Sequence, residues 1–243
     1  MADFLLNWPV IMKTVPAFRP LRFFWLQSLL LLGLLAIIAY YLQLDDSQTQ
    51  AAAQEGSLID RTSALGYLIC AGLMLVLGGR DLLKHHYPLM IGVTLLGLRE
   101  LDFDKRYSTL GLFKSATFRS PDVSLLEKGI TLVVVLLVVW LAIALIVKYL
   151  RPLLTRAVQF NMVAISICCA GGLLVVARTL DGIARKLGEF GVNVTAHTEV
   201  HTTIIEEVFE LGAPYSLIIA LFCYLQIYRR DAFKGAVKQN AEA

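Results

Sequence analysis

The chain has 243 residues, 57% of them hydrophobic and 17% charged, with a mean hydropathy of +0.67, values that exclude an ordinary water-soluble globule. Its net charge of +3 is scattered over short polar segments, which excludes a nucleic-acid-binding surface. Cys70, Cys168, Cys169 and Cys223 all fall inside apolar runs and lack the paired spacing of zinc sites or disulfide frameworks. The composition predicts an all-α polytopic membrane helix bundle, one transmembrane domain over residues 1–243.

A bilayer core about 30 Å thick is crossed by about 20 helical residues, and in chain order the sequence offers six such segments. The first covers about residues 22–42. It follows about twenty residues that include Pro9, Pro16 and Pro20, is too long for a signal-peptide core and lacks a small-residue cleavage site, so a retained span is expected rather than a signal peptide. An acidic loop, Asp45 to Asp60, separates it from the second, about 62–79. The third, about 84–101, is weaker. Its purely apolar part runs only from Tyr87 to Leu98, so it crosses if Lys84 and Glu100 occupy the two interfaces and is re-entrant otherwise. The fourth, fifth and sixth cover about 129–150, 157–180 and 204–227.

The longest polar connection, Arg99 to Lys128, interleaves Phe103, Tyr107, Leu110 and Phe118 with Lys105, Arg106, Lys114 and Arg119. That mixture suits a segment lying in the headgroup layer, either as a passive anchor or as a holder of anionic lipid. Lys13, Arg19 and Arg22 precede the first span and Asp45 and Asp46 follow it, which predicts a cytoplasmic N-terminus. Six spans return the basic tail, with Arg229, Arg230, Lys234 and Lys238, to the same side. The expected setting is a bacterial-type inner membrane with both termini cytoplasmic. In that topology every acid except Asp3, Asp81, Asp231 and Glu242 lies on the outer side.

Some of those acids belong to the acidic first loop, Asp45 to Asp60, and the remainder sits at the outer ends of three helices. The third segment ends in "LRELDFDKR", with Arg99, Glu100, Asp102 and Asp104; the fifth ends with Arg178 and Asp181 spaced i, i+3, within reach across one turn. The sixth opens with "HTEVHTTIIEEVFELGAP", where a helix places Glu199, Thr203, Glu206 and Glu210 on one stripe and Glu207 beside it. Glu210 is the deepest, and an ionised side chain near a bilayer centre costs about 2.5–3.5 kcal/mol. A counter-charge is therefore expected from Arg99 or Arg178, a bound cation or a proton. Pro214 cannot donate to the Glu210 carbonyl, so a local kink is expected there. Capping of the helix dipole and structural ion pairs explain the same acids without any ligand.

On a helix His197 and His201, at i, i+4, face one divalent metal ion, with Asp181, Glu100 or Asp102 completing the shell. One of Glu206, Glu207 and Glu210 would then serve as general base. The preceding "GVNVTAHTEVHTT" alternates in a way that suits extended chain, and exposed loop histidines are the plain alternative. The "HHY" at His85 and His86 is expected at the opposite interface.

The HxxxH beside the last span, with acids at the membrane edge, is similar to the alkaline ceramidase and CREST group of membrane hydrolases. The resemblance implies a catalytic zinc, held by three histidines and an aspartate, acting on a lipid amide. His197 and His201 match the paired histidines, Asp181 or Asp102 the acid, and His85 or His86 the third histidine. The group has seven spans where six are read here. The stretches "LRELDFDK" and "EEVFEL" also resemble uncharacterised bacterial inner-membrane proteins, which implies no activity.

The sequence carries no Gly-rich phosphate loop, GxSxG elbow or HExxH, so nucleotide-driven chemistry and the common covalent hydrolases are disfavoured. Three readings stay open: a metal-dependent enzyme on a lipid or lipid-linked substrate, a cation- or proton-coupled transporter component, and a non-catalytic scaffold for a membrane-protein partner.

Overall fold

The computed structural model describes residues 21–54, 57–101, 103, 116–121 and 123–241. Among them the architecture is all-α, without strands. The helices are α1 (Leu21–Tyr41), α2 (Asp46–Ala52), α3 (Leu58–Glu100), α4 (Ala116–Arg119), α5 (Leu125–Leu145), α6 (Arg151–Val158), α7 (Met162–Leu180), α8 (Ile183–Glu189) and α9 (Ala196–Ala241), with a π-helical segment, Ile146–Leu150, joining α5 to α6. Among the described residues, five stretches are long and apolar enough to cross a bilayer: Leu21–Tyr41, Leu58–Gly78, Leu125–Val158, Met162–Leu180 and Ala196–Ile227. Their exposed surface is itself apolar, as at Leu29, Leu32, Val133, Leu136 and Trp140, which suits lipid tails and not water. The chain is a multi-pass membrane protein.

Local signals start the helices. Ser57 Oγ accepts from Asp60 N at 3.3 Å to open α3, and Ser124 Oγ accepts from Glu127 N at 3.2 Å to open α5. Asn161 Oδ1 caps α7 by accepting from Val163 N and Ala164 N. Each satisfies donors that a helix N-terminus leaves unpaired.

The chain divides into two compact units, Met1–Ala53 with Arg151–Ala243, and Gln54–Leu150. In the first, α9 packs against both α1 and α7. Phe23, Met162 and Cys223 form one buried cluster, and Gln27 Nε2 reaches Ser216 Oγ at 3.0 Å and Cys169 Sγ at 3.2 Å. The next level is Leu34, Leu173 and Gly212, where a Cβ on Gly212 would run into Leu34 Cδ1 and come within 2.9 Å of Leu173 Cδ1. This ladder of contacts shows α1 and α7 running in one direction and α9 in the other. Gly212 lets the three backbones approach, the use that membrane bundles make of small residues. Pro214 sits inside α9, which continues through it to Ala241.

In the second unit α3 packs against α5. His86, buried, has Nδ1 3.4 Å from the Tyr149 hydroxyl in the π-helical segment. The segments read as separate spans, 62–79 and 84–101, are one helix of 43 residues, about 65 Å long at 1.5 Å per residue. The residues between those two segments, 80–83, are helical throughout. Gly78 and Gly79 each cost about 1 kcal/mol in a helix, too little to end one flanked by strong helix formers. The reversal after the next apolar stretch also comes late. Helix persists to Val158, and the chain turns at Phe160, whose φ is 56°.

Candidate metal centre

The first unit has a polar end. There α1 stops at Tyr41, the chain turns, and α2 begins at Asp46 behind Asp45, whose extended backbone occupies the N-cap position. The start of α9 comes to the same place. The stretch expected as extended chain is helical from Ala196: Thr195 Oγ1 accepts from Thr198 N at 3.3 Å, and Glu199 N donates to the Thr195 carbonyl at 3.0 Å. Threonine at the N-cap overrides the alternating pattern, because it satisfies a donor that extended chain would leave to water.

Helix geometry then puts His197 and His201 on one face, with ring centroids 4.1 Å apart. Asp46 completes a group of three. Its Oδ1 is 2.6 Å from His197 Nδ1 and 3.6 Å from His201 Nε2, and one ligand atom from each residue falls within 4.8 Å of the others. The shorter distance is that of an Nδ1–H donating to a carboxylate. Burial grades across the group, since the His197 and Asp46 side chains are 63% and 51% exposed and that of His201 is 15% exposed. His201 Nε2 is shielded from solvent and has no hydrogen-bond partner among the described residues. The next positions on that face of α9, Ile204 and Val208, are fully buried, so the group sits where the packed bundle meets its polar end.

Two imidazoles and a carboxylate form a ligand set suited to a first-row divalent ion. Three protein ligands also leave a fourth position for water or substrate, as in catalytic zinc sites. Donors about 2 Å from a tetrahedral ion lie roughly 3.4 Å apart, against separations of up to 4.8 Å here.

The other acids sort differently. Arg178 Nη1 contacts Asp181 Oδ2 at 2.7 Å, and its Nη2 contacts Glu210 Oε1 at 3.1 Å. Glu210 is 4% exposed, and of the two arginines considered for it, Arg178 supplies the counter-charge. Asp181 is thus tied to Arg178, and Asp46 occupies the acidic position beside the histidines. Glu206 and Glu207 are half-buried on α9, five and six residues past His201. Arg99 and Glu100 belong to the second unit, where Arg99 Nη1 lies 3.8 Å from Glu100 Oε1. Asp102, Asp104, Lys105, Arg106 and Lys114 lie outside the described residues, and Arg119 is exposed at the end of α4.

Asp46 is the candidate ligand that sequence reasoning missed. The acidic loop after the first span was expected on the same side as the histidines, but nothing in a separation of 151 positions signals which of its acids meets them. No family model, curated protein or solved structure matches the chain.

Proposed function

We propose that this protein is a metal-dependent membrane enzyme acting on a lipid or lipid-linked substrate at the bilayer surface, with Asp46, His197 and His201 holding a zinc-class divalent ion. The observation that carries this reading is the convergence of three ligand-type side chains from two helices, one of them presenting a shielded nitrogen without a hydrogen-bond partner. An ion held by three protein ligands lowers the pKa of its bound water to about 7 and makes hydroxide available at neutral pH. Glu206 and Glu207 are the carboxylates proposed as general base. Glu210, already paired with Arg178, serves as structural counter-charge, and that pairing disfavours its use as a cation-transport site.

The setting we propose is a bacterial-type inner membrane with both termini cytoplasmic and the metal end of the bundle facing outward. The shared direction of α1 and α7, opposed to α9, supports termini on one side. Anionic lipid in the headgroup layer is the proposed neighbour of the basic loop between Arg99 and Lys128.

Elemental analysis of the purified full chain in detergent tests the reading. About one equivalent of zinc-class metal is expected in the native protein and none in His201→Ala. Native protein without stoichiometric metal, or His201→Ala protein that retains it, would overturn the assignment.

A further inference from the structure

Asp46 reaches the histidines from a helix of seven residues, far too short to hold itself in place. What fixes it is visible in the burial pattern. Thr49 is the buried residue of α2, fully enclosed, and its Oγ1 donates to the Tyr41 carbonyl at 3.0 Å. That carbonyl is one of the last four of α1, which have no partner within the helix. It also accepts from Leu44 N at 3.2 Å, so the turn and α2 are tied to the same oxygen. Thr49 and Asp46 are spaced i, i+3 and share a face of α2, and α2 packs on α9.

We infer that Thr49 is a positioning residue for the metal centre: its hydroxyl fastens α2 to the end of α1 and thereby sets the Asp46 carboxylate against His197 and His201. The inference rests on the proposed metal site for its consequence and on the Asp46–His197 contact for its geometry. Ligating groups are generally oriented by a second set of hydrogen bonds, and removing one such bond lowers metal affinity about 10- to 100-fold. Valine keeps the shape of threonine and removes the hydroxyl, and the Leu44 bond keeps the Tyr41 carbonyl satisfied. Thr49→Val therefore tests orientation without leaving an orphaned acceptor, and Thr49→Ser restores the hydroxyl at the expense of one methyl.

The experiment uses the full chain in detergent, with two readouts. Competition titration with zinc alone should give one-to-one binding in all three proteins, weakened about 10- to 100-fold in Thr49→Val and near native in Thr49→Ser. In metal-free protein, the NMR signal of the hydrogen-bonded His197 Nδ1 proton should be lost or moved upfield in Thr49→Val and retained in Thr49→Ser. Native zinc affinity and an unmoved proton signal in Thr49→Val would overturn the inference. A native chain that binds no zinc would instead sink the proposed function, and the metal-free signal would still decide whether Thr49 positions Asp46.

Discussion

Two polar groups of the first unit invite comparison: the Arg178–Asp181–Glu210 ion pairs and the Asp46–His197–His201 cluster. Both join different helices, and both bring together side chains that a membrane protein keeps few of. In the first, the guanidinium holds Asp181 at 2.7 Å and the buried Glu210 at 3.1 Å. In the second, one carboxylate faces two imidazoles and a shielded ring nitrogen lacks a hydrogen-bond partner. Charge at a membrane edge therefore does not by itself mark a site. The difference lies in which polar atoms are already paired.

Substitution can break this contrast from either side. Removing a ligand should have the largest effect on metal. His197→Ala or Asp46→Ala should lower zinc affinity beyond the roughly 10- to 100-fold that outer-shell changes produce, read by competition titration, with little change in thermal unfolding of the metal-free protein. The ion pairs should behave in the opposite way. Arg178→Ala removes an ion-pair partner of the buried Glu210, and breaking such a pair costs about 3–5 kcal/mol when both partners are enclosed. Arg178 is 45% exposed, so solvent screening places the expected loss below that range. Metal content should be unchanged. A loss of metal in Arg178→Ala without unfolding would show that the two groups are one site.

The fold was legible wherever the signal was local. Apolar runs of spanning length marked α1, α5, α7 and α9, and the i, i+3 spacing marked Arg178 with Asp181. Charge misled between residues 79 and 87, because a cluster of Arg, Asp, Lys and His reads as a loop when a span is expected to be about 20 residues long. The same residues continue a helix that is under no such limit. Periodicity misled again at 196–203, where a single capping threonine decided for helix. The cluster itself was half legible: two histidines four apart share a helix face, but which carboxylate meets them depends on where α2 docks. Docking is a tertiary outcome, set here by Thr49 and by the packing of α9.

Packing within the bundle gives a further contrast with the metal end, since its effects should appear in stability alone. Gly212→Leu places atoms where Leu34 and Leu173 already sit. Overpacking of this kind costs about 1–3 kcal/mol, measurable as a lower unfolding midpoint in detergent. A native-like midpoint would show that α1 and α7 can move away from α9 freely.

The smallest effect expected is at Gln27, and its size decides how the bundle is held. Its amide donates to Ser216 on α9 and Cys169 on α7, linking three helices between the apolar levels of Phe23–Met162–Cys223 and Leu34–Leu173–Gly212. Interhelical hydrogen bonds in membranes average only about 0.6 kcal/mol, with a maximum near 1.7, because an unfolded but inserted helix finds other partners. Gln27→Leu should therefore destabilise by about 1 kcal/mol or less, and leucine offsets part of that by filling the space. A larger loss would mean that polar registry dominates helix association here. A gain would mean that close packing at Gly212 suffices and that the amide chiefly selects which helix faces meet.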